Sequence, residues 1–81
     1  MFFNKKKIEV TVKPYGIVKN YISEETFELK EGARLRTLLR KSGALGITFP
    51  LILMINGERV KPSKLLKHND EVKILNIVGG G

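Results

Sequence analysis

Residues 48–60 read TFPLILMINGERV, an apolar run that is followed at once by Asn56 and Gly57. Asparagine followed by glycine between two extended segments is a strong signal for a type I′ turn, because both residues tolerate positive φ. The stretch therefore predicts a β-hairpin, with one strand within residues 48–55 and a short return strand over residues 58–60. Pro62 ends the return strand, since proline cannot donate a hydrogen bond to the ladder.

Upstream of this hairpin, apolar and polar residues alternate in two segments, residues 8–13 and residues 26–29. A period of two is typical of strands with one buried face. Pro14 and Gly16 end the first of these strands. The two segments predict a second hairpin, whose connection over residues 17–25 is either a wide loop or a short helical turn.

A helix is predicted between the two hairpins, over residues 33–42. Leu35, Leu38 and Leu39 recur at helical spacing, and arginines fall mostly outside that face. Gly43 is suited to end the helix, because glycine takes positive φ without a Cβ clash.

After the second hairpin, the sequence predicts one helical turn over residues 63–66 and a polar turn over residues 68–71. Asn69 is the residue of that turn best able to adopt a left-handed conformation. Residues 72–77 form the last strand. The order strand, strand, helix, strand, strand, strand predicts an α+β domain of the β-grasp (ubiquitin-like) type, in which a mixed sheet of about five strands packs on one helix. We assign residues 1–77 to this domain and residues 78–81 to a flexible C-terminal glycine tail.

Composition limits the function. The chain has 81 residues, enough for one domain, and no cysteine, which excludes disulfides, thiolate metal sites and thiol nucleophiles. No apolar run approaches the ~20 residues of a membrane span, and the N-terminus does not follow the pattern of a signal peptide. We therefore expect a cytoplasmic protein without a membrane partner. The net charge of +7 comes from scattered cations and predicts a solvated basic surface.

Residue types that usually carry catalysis are sparse. His68 is the only histidine, lies in a polar turn and has no neighbour to share a metal, so we expect a surface residue and no metal site. Glu24, Glu25, Glu28 and Glu31 lie close in sequence, but an 81-residue domain offers no apolar pocket to separate their pKa values for acid–base work. No bound cofactor is expected.

The C-terminal tail is the remaining candidate for a functional site. Gly79, Gly80 and Gly81 form a thin and flexible peptide that can extend from the last strand into a narrow active site of another protein. The reactive group presented there is the carboxylate of Gly81.

In this context the chain resembles the β-grasp sulfur carriers, namely the small subunit of molybdopterin synthase and the thiamine-biosynthesis sulfur carrier. Four ordered motifs carry the resemblance: Glu31-Gly32-Ala33 before a helix with Leu38-Leu39; Met54-Ile55-Asn56-Gly57-Glu58 with Val60; Leu66-Lys67-His68-Asn69-Asp70-Glu71-Val72; and Ile77-Val78-Gly79-Gly80-Gly81. The chain departs from the pattern in having Asn69 where these families usually have glycine, and in its strongly positive charge.

The resemblance implies a defined cycle in which the chain is a protein co-substrate and not an enzyme. An adenylating activating enzyme uses ATP to convert the Gly81 carboxylate to an acyl-adenylate. A persulfide on a sulfur donor protein displaces AMP and leaves a thiocarboxylate. An acceptor synthase then uses this sulfur for molybdopterin, thiamine or tRNA.

Such a carrier also needs a surface on which its partners dock. If Leu53 faces the helix, then Ile52 and Met54 face away from it, and Leu75 and Ile77 do the same on the last strand. These two strands are neighbours in a β-grasp sheet. We therefore predict a partner-binding apolar patch that adjoins the tail and consists of Ile52, Met54, Leu75, Ile77 and Val78.

Two alternatives stay open. The chain is either a carrier or, within the same class, a ubiquitin-like modifier joined to lysines through Gly81. A rival from another class is a basic RNA-binding β-grasp module, motivated by the charge. Nucleic acid is the less favoured partner, because the aromatic residues form no stacking row on one strand.

Overall fold

A computed structural model describes residues 6–77. Its strands are β1 (Lys7–Pro14), β2 (Glu25–Lys30), β3 (Leu51–Ile55), β4 (Glu58–Arg59) and β5 (Glu71–Asn76), and its α-helix is α1 (Leu35–Ser42). Two short 3₁₀ helices span Gly16–Asn20 and Ala44–Gly46. The connection between β1 and β2 therefore contains a helical turn. Residues 1–5 of the predicted domain lie outside the described residues, and so does the whole predicted tail, residues 78–81.

The five strands form one mixed sheet in the order β2-β1-β5-β3-β4. β5, the last strand in sequence, lies at the centre, parallel to β1 and antiparallel to β3. The remaining two pairs, β1 with β2 and β3 with β4, are antiparallel hairpins. This topology is the predicted α+β, β-grasp arrangement.

One face of the sheet forms the core with α1. The side chains with no more than trace exposure come from both layers and are Val10, Val12, Val18, Leu35, Leu38, Val72 and Ile74. Within the described residues no polar or charged side chain is buried. The opposite face of the sheet, which we call the open face, carries the alternate residues of each strand.

Residues 62–66 cap the N-terminus of α1 through backbone hydrogen bonds. Two predictions for this region are corrected by their position. The backbone N–H groups of Leu35 and Arg36 donate to carbonyl oxygens of this segment at 2.8 Å. Arg34 is extended, with φ −106° and ψ 160°, and forms an isolated β-bridge with the same segment. The helix therefore begins two residues later than predicted, and the helical turn predicted over residues 63–66 is wrong, because that segment is irregular and supplies carbonyl acceptors to the helix.

Both predicted left-handed turns are confirmed. Asn56 and Gly57 have φ of 54° and 79°, the pair of positive values that a type I′ turn requires. Asn69 has φ of 70°, and its N–H donates to the Glu9 carbonyl at 2.7 Å. That hydrogen bond fixes the turn before β5 against β1.

The backbone at Asn69 leads to a stability prediction. We expect Asn69→Val to lower the free energy of unfolding by about 1–2 kcal/mol, because a β-branched side chain clashes with the backbone at positive φ. Asn69→Gly keeps the conformation without a clash and should change stability by no more than about 0.5 kcal/mol. Urea denaturation of the three proteins measures both values. Equal stability of the valine and glycine variants would show that the turn relaxes out of this conformation.

Candidate partner-binding surface beside the C-terminal tail

The tail begins where the central strand ends. The N–H of Ile77, the last described residue, donates to the Pro50 carbonyl at 3.3 Å. This bond extends the pairing of β5 with β3 by one residue, since Leu51 already lies opposite Asn76. Val78, Gly79, Gly80 and Gly81 lie outside the described residues. Ile77, the last residue before the tail, therefore lies at the centre of one end of the sheet.

Four of the five predicted patch residues lie within the described chain, and the strand register follows the prediction. Ile52 is the direct cross-strand partner of Leu75, so both side chains share the open face. Ile52, Met54 and Leu75 are half-buried, and Ile77 is 47% exposed. We call Ile52, Met54, Leu75 and Ile77 the apolar patch. It lies on the open face of the two strands beside the start of the tail.

The structure adds Tyr15 to this surface, a residue that the sequence reasoning did not place there. The Tyr15 N–H donates to the Ile74 carbonyl at 3.0 Å, which continues the parallel pairing of β1 with β5. Its ring lies under the Lys73 Nζ, 6.0 Å from the ring centroid, and is 38% exposed. The alternation of β1 indicates that Tyr15 faces the same side as Lys13, but its position beside Lys73 follows only from the register of β1 against β5.

Cations adjoin the apolar patch. Met54 lies between Lys73 on β5 and Arg59 on β4, its two cross-strand partners. Lys13, opposite Lys73 on β1, forms an ion pair with Glu71 at 3.3 Å. The hydrogen bond to Glu71 and its negative charge raise the pKa of Lys13, so this lysine is charged at neutral pH. An apolar centre with a cationic border fits a partner surface with an apolar centre and an acidic border.

His68 has a structural position in the surface turn. Its Nδ1 accepts the backbone N–H of Glu9 at 3.0 Å, while its side chain stays exposed. Together with the bond from Asn69 to the Glu9 carbonyl, this contact extends β1 beyond its ladder with β5. The residue thus contributes to the fold of the turn.

Two other features are absent from residues 6–77. No three side chains among histidines and carboxylates lie close enough to hold a metal ion together. No helix of these residues is long and apolar enough to cross a membrane.

The ThiS family matches residues 12–81, from the middle of β1 through the last glycine. The chain belongs to the ThiS family. A search of curated proteins found no match.

Solved structures show the same fold. A protein described as molybdopterin converting factor subunit 1 from Pyrococcus furiosus is 24% identical, with a TM-score of 0.73 over 88% of this chain and 99% of that one. SAMP1 from Haloferax volcanii is 17% identical, with a TM-score of 0.68 over 90% of this chain and 99% of that one. Small archaeal modifier protein 1 (SAMP1) from Methanosarcina acetivorans is 23% identical, with a TM-score of 0.64 over 94% and 99%. The fold is therefore the ubiquitin-like β-grasp.

Proposed function

We propose that this member of the ThiS family is a sulfur carrier whose reacting group is the carboxylate of Gly81. The observation that carries the proposal is the family match, which extends to residue 81 and so includes Gly79, Gly80 and Gly81. A second observation supports it: β5 leads into this tail from the centre of the sheet, beside the apolar patch.

The proposed chemistry begins with activation. A carboxylate is a poor electrophile, so an activating enzyme first transfers AMP from ATP to the Gly81 carboxylate and releases pyrophosphate. The terminal sulfur of a persulfide on a donor protein then attacks the acyl carbon, and AMP leaves. A second thiol of the donor attacks the resulting acyl disulfide at its S–S bond. The products are a thiocarboxylate on Gly81 and a disulfide on the donor, so electrons balance.

The partners follow from this cycle. The carrier holds no cofactor of its own and catalyses no step, because ATP and all thiols belong to its partners. The apolar patch docks the activating enzyme and later the acceptor synthase, which transfers the sulfur to molybdopterin, thiamine or tRNA. The donor needs free thiols, which stay reduced in the cytoplasm, and we therefore propose that the cycle takes place there.

A second candidate function is conjugation, in which an adenylated Gly81 forms an isopeptide bond with a lysine of another protein. The observation that favours conjugation is the fold, which this chain shares with SAMP1, a small archaeal modifier protein. The two functions share activation and differ in the product, a free thiocarboxylate or a conjugate of higher mass. RNA binding is less favoured, because the exposed tyrosines of the described residues, Tyr15 and Tyr21, lie outside the strands and form no stacking row.

The proposal predicts a specific alkylation. The chain has no cysteine, so a thiol-selective reagent such as iodoacetamide has one expected target, the thiocarboxylate. Protein purified from its own organism should contain a species heavier by one sulfur-for-oxygen exchange, and iodoacetamide should add one group to that species alone. Intact-mass and tandem mass spectrometry measure both, and the tandem spectra should place the group on Gly81. Isopeptide-linked conjugates without any thiocarboxylate would favour the modifier function instead.

A further inference from the structure

A groove of about 470 Å³ lies between β2 and α1, and none of the apolar-patch residues lines it. β2 is an edge strand, separated from β3 by two strands. The apolar patch and the start of the tail are therefore outside this groove. Its lining residues come from β1, β2, the following turn and the facing side of α1: Lys7, Glu28, Leu29, Lys30, Glu31, Gly32, Ala33, Thr37 and Lys41.

The edge of β2 beside the groove has unpaired backbone groups. The Glu31 N–H donates to the Lys6 carbonyl at 2.8 Å, and these two residues lie opposite each other in the antiparallel register. Since bonded pairs alternate along such a ladder, Thr26, Glu28 and Lys30 direct their N–H and C=O groups away from β1. Of these groups, only the Lys30 carbonyl has a protein partner in the described residues, the N–H of Ala33 at 3.0 Å.

The charged and apolar side chains of the groove lining indicate what kind of peptide chain fits beside the edge of β2. Lys7 is paired with Glu28 at 3.4 Å. Among the described residues no carboxylate lies within ion-pair distance of Lys30 or Lys41, which line the groove from the strand and from the helix. Ala33 and the slightly exposed edge of Leu29 supply the apolar part of the lining, and Thr37 lies beside them on α1. A chain laid along β2 would thus meet apolar atoms on its helix side, and at its borders the cations Lys30 and Lys41 together with the Glu31 carboxylate, which leaves a net positive charge.

A second copy of this chain fits the edge poorly. Antiparallel pairing of two β2 strands centred on Glu28 would place two glutamates directly opposite each other, and like charges in that position are destabilising. Each copy also carries a net charge of +7. Repulsion between two chains of this charge favours a different, less basic occupant over a second copy.

We propose that this groove binds an extended segment of a partner protein, which adds a sixth strand to the sheet beside β2. The segment alternates apolar residues, which face α1, with polar residues that include glutamate or aspartate. Main-chain hydrogen bonds to the free edge give affinity, and the alternating side chains give selectivity. The proposal does not depend on the sulfur-carrier function, and a partner held here leaves the apolar patch and the tail accessible.

Synthetic peptides test strand addition. The probe is a fluorescein-labelled seven-residue peptide of sequence EVSVEVS, and its control has the same composition in the order EESSVVV. We expect the alternating peptide to bind at least tenfold more tightly in fluorescence anisotropy, and to slow hydrogen exchange of the Thr26 and Glu28 amides. Equal binding of both peptides, or no binding of the alternating peptide at millimolar concentration, overturns the proposal.

Backbone methylation tests the hydrogen bonds without altering the protein. In an added strand only every second residue directs its N–H towards β2. One peptide is N-methylated at the three valines and another at the four polar residues. One of the two should lose at least tenfold in affinity while the other binds nearly as the parent. Loss of affinity by the same factor in both peptides contradicts strand addition.

A matched pair of variants tests the same edge from the protein side. Glu28→Pro removes the outward N–H, and proline is tolerated where an edge strand faces solvent. Glu28→Ala removes the same carboxylate and keeps the N–H. Peptide affinity should fall at least tenfold for the proline variant and stay within threefold for the alanine variant. If both variants bind equally well, strand addition is wrong, and if the proline variant does not fold, the methylated peptides decide.

Discussion

Deletion of Gly81 is expected to abolish adenylation by the activating enzyme and to leave the stability of the domain unchanged. The proposed cycle acts on the carboxylate at the end of the tail, and a chain shortened by one residue moves that carboxylate about 3.5 Å back along the extended chain. Displacements of this size remove the reacting group from attack geometry. ATP–pyrophosphate exchange with the purified activating enzyme measures the effect, and urea denaturation measures the stability.

Adding one bulky residue after Gly81 should have the same effect, because it removes the glycine carboxylate and widens the tip. Neither change alters the apolar patch, so both proteins should still bind the activating enzyme and compete with the unaltered chain. Retained binding with lost exchange would separate docking from chemistry. A shortened chain that still supports exchange would contradict the role of Gly81.

Local sequence patterns predicted most of the fold. The alternation of Ile8, Val10 and Val12 is the buried face of β1, and the pair Asn56 and Gly57 forms the turn between β3 and β4. These features depend on residues close in sequence, so a period of two or a turn signal is sufficient to find them. The order of elements indicated the β-grasp topology, and β5 lies at the centre of the sheet as in that arrangement.

Features that depend on contacts between distant segments were not predictable in this way. The start of α1 is set by the bond from the Leu35 N–H to the Lys64 carbonyl, 29 residues away in sequence. Tyr15 reaches the open face beside Lys73 because β1 pairs with β5 in one register. The groove beside β2 depends on how α1 crosses the edge strand. Each of these features involves pairs of residues that no local period connects.

Charged substitutions in the apolar patch are expected to cause a large loss of affinity for the activating enzyme. Leu75→Arg places a charge at the centre of the proposed interface, and Met54→Glu does the same with the opposite sign. Both side chains are half-buried on the open face. The arginine at position 75 has Ile52 as its cross-strand partner, and the glutamate at position 54 lies between Lys73 and Arg59, which attract it. Both variants should therefore fold.

In the complex, either new charge would lose its water without gaining a designed partner, which costs several kcal/mol. At about 1.4 kcal/mol for each factor of ten, affinity for the activating enzyme should fall by about two orders of magnitude or more. The two opposite signs separate this desolvation from long-range attraction, which would weaken one variant and strengthen the other. Calorimetric titration of each variant with the activating enzyme measures the loss.

Two controls decide how the result is interpreted. Ser23→Arg adds the same charge as Leu75→Arg at an exposed loop position outside the strands and outside the apolar patch, and it should bind normally. Leu53→Arg changes a neighbour of Met54 that lies in the core and opposite Ile74, so it should unfold the domain, because an unpaired charge cannot be buried there. If Met54→Glu unfolds the chain while Leu53→Arg is tolerated, the register of β3 is shifted by one residue and the patch is on the wrong face. If both patch variants fold and bind as tightly as Ser23→Arg, the register stands and the partners dock elsewhere.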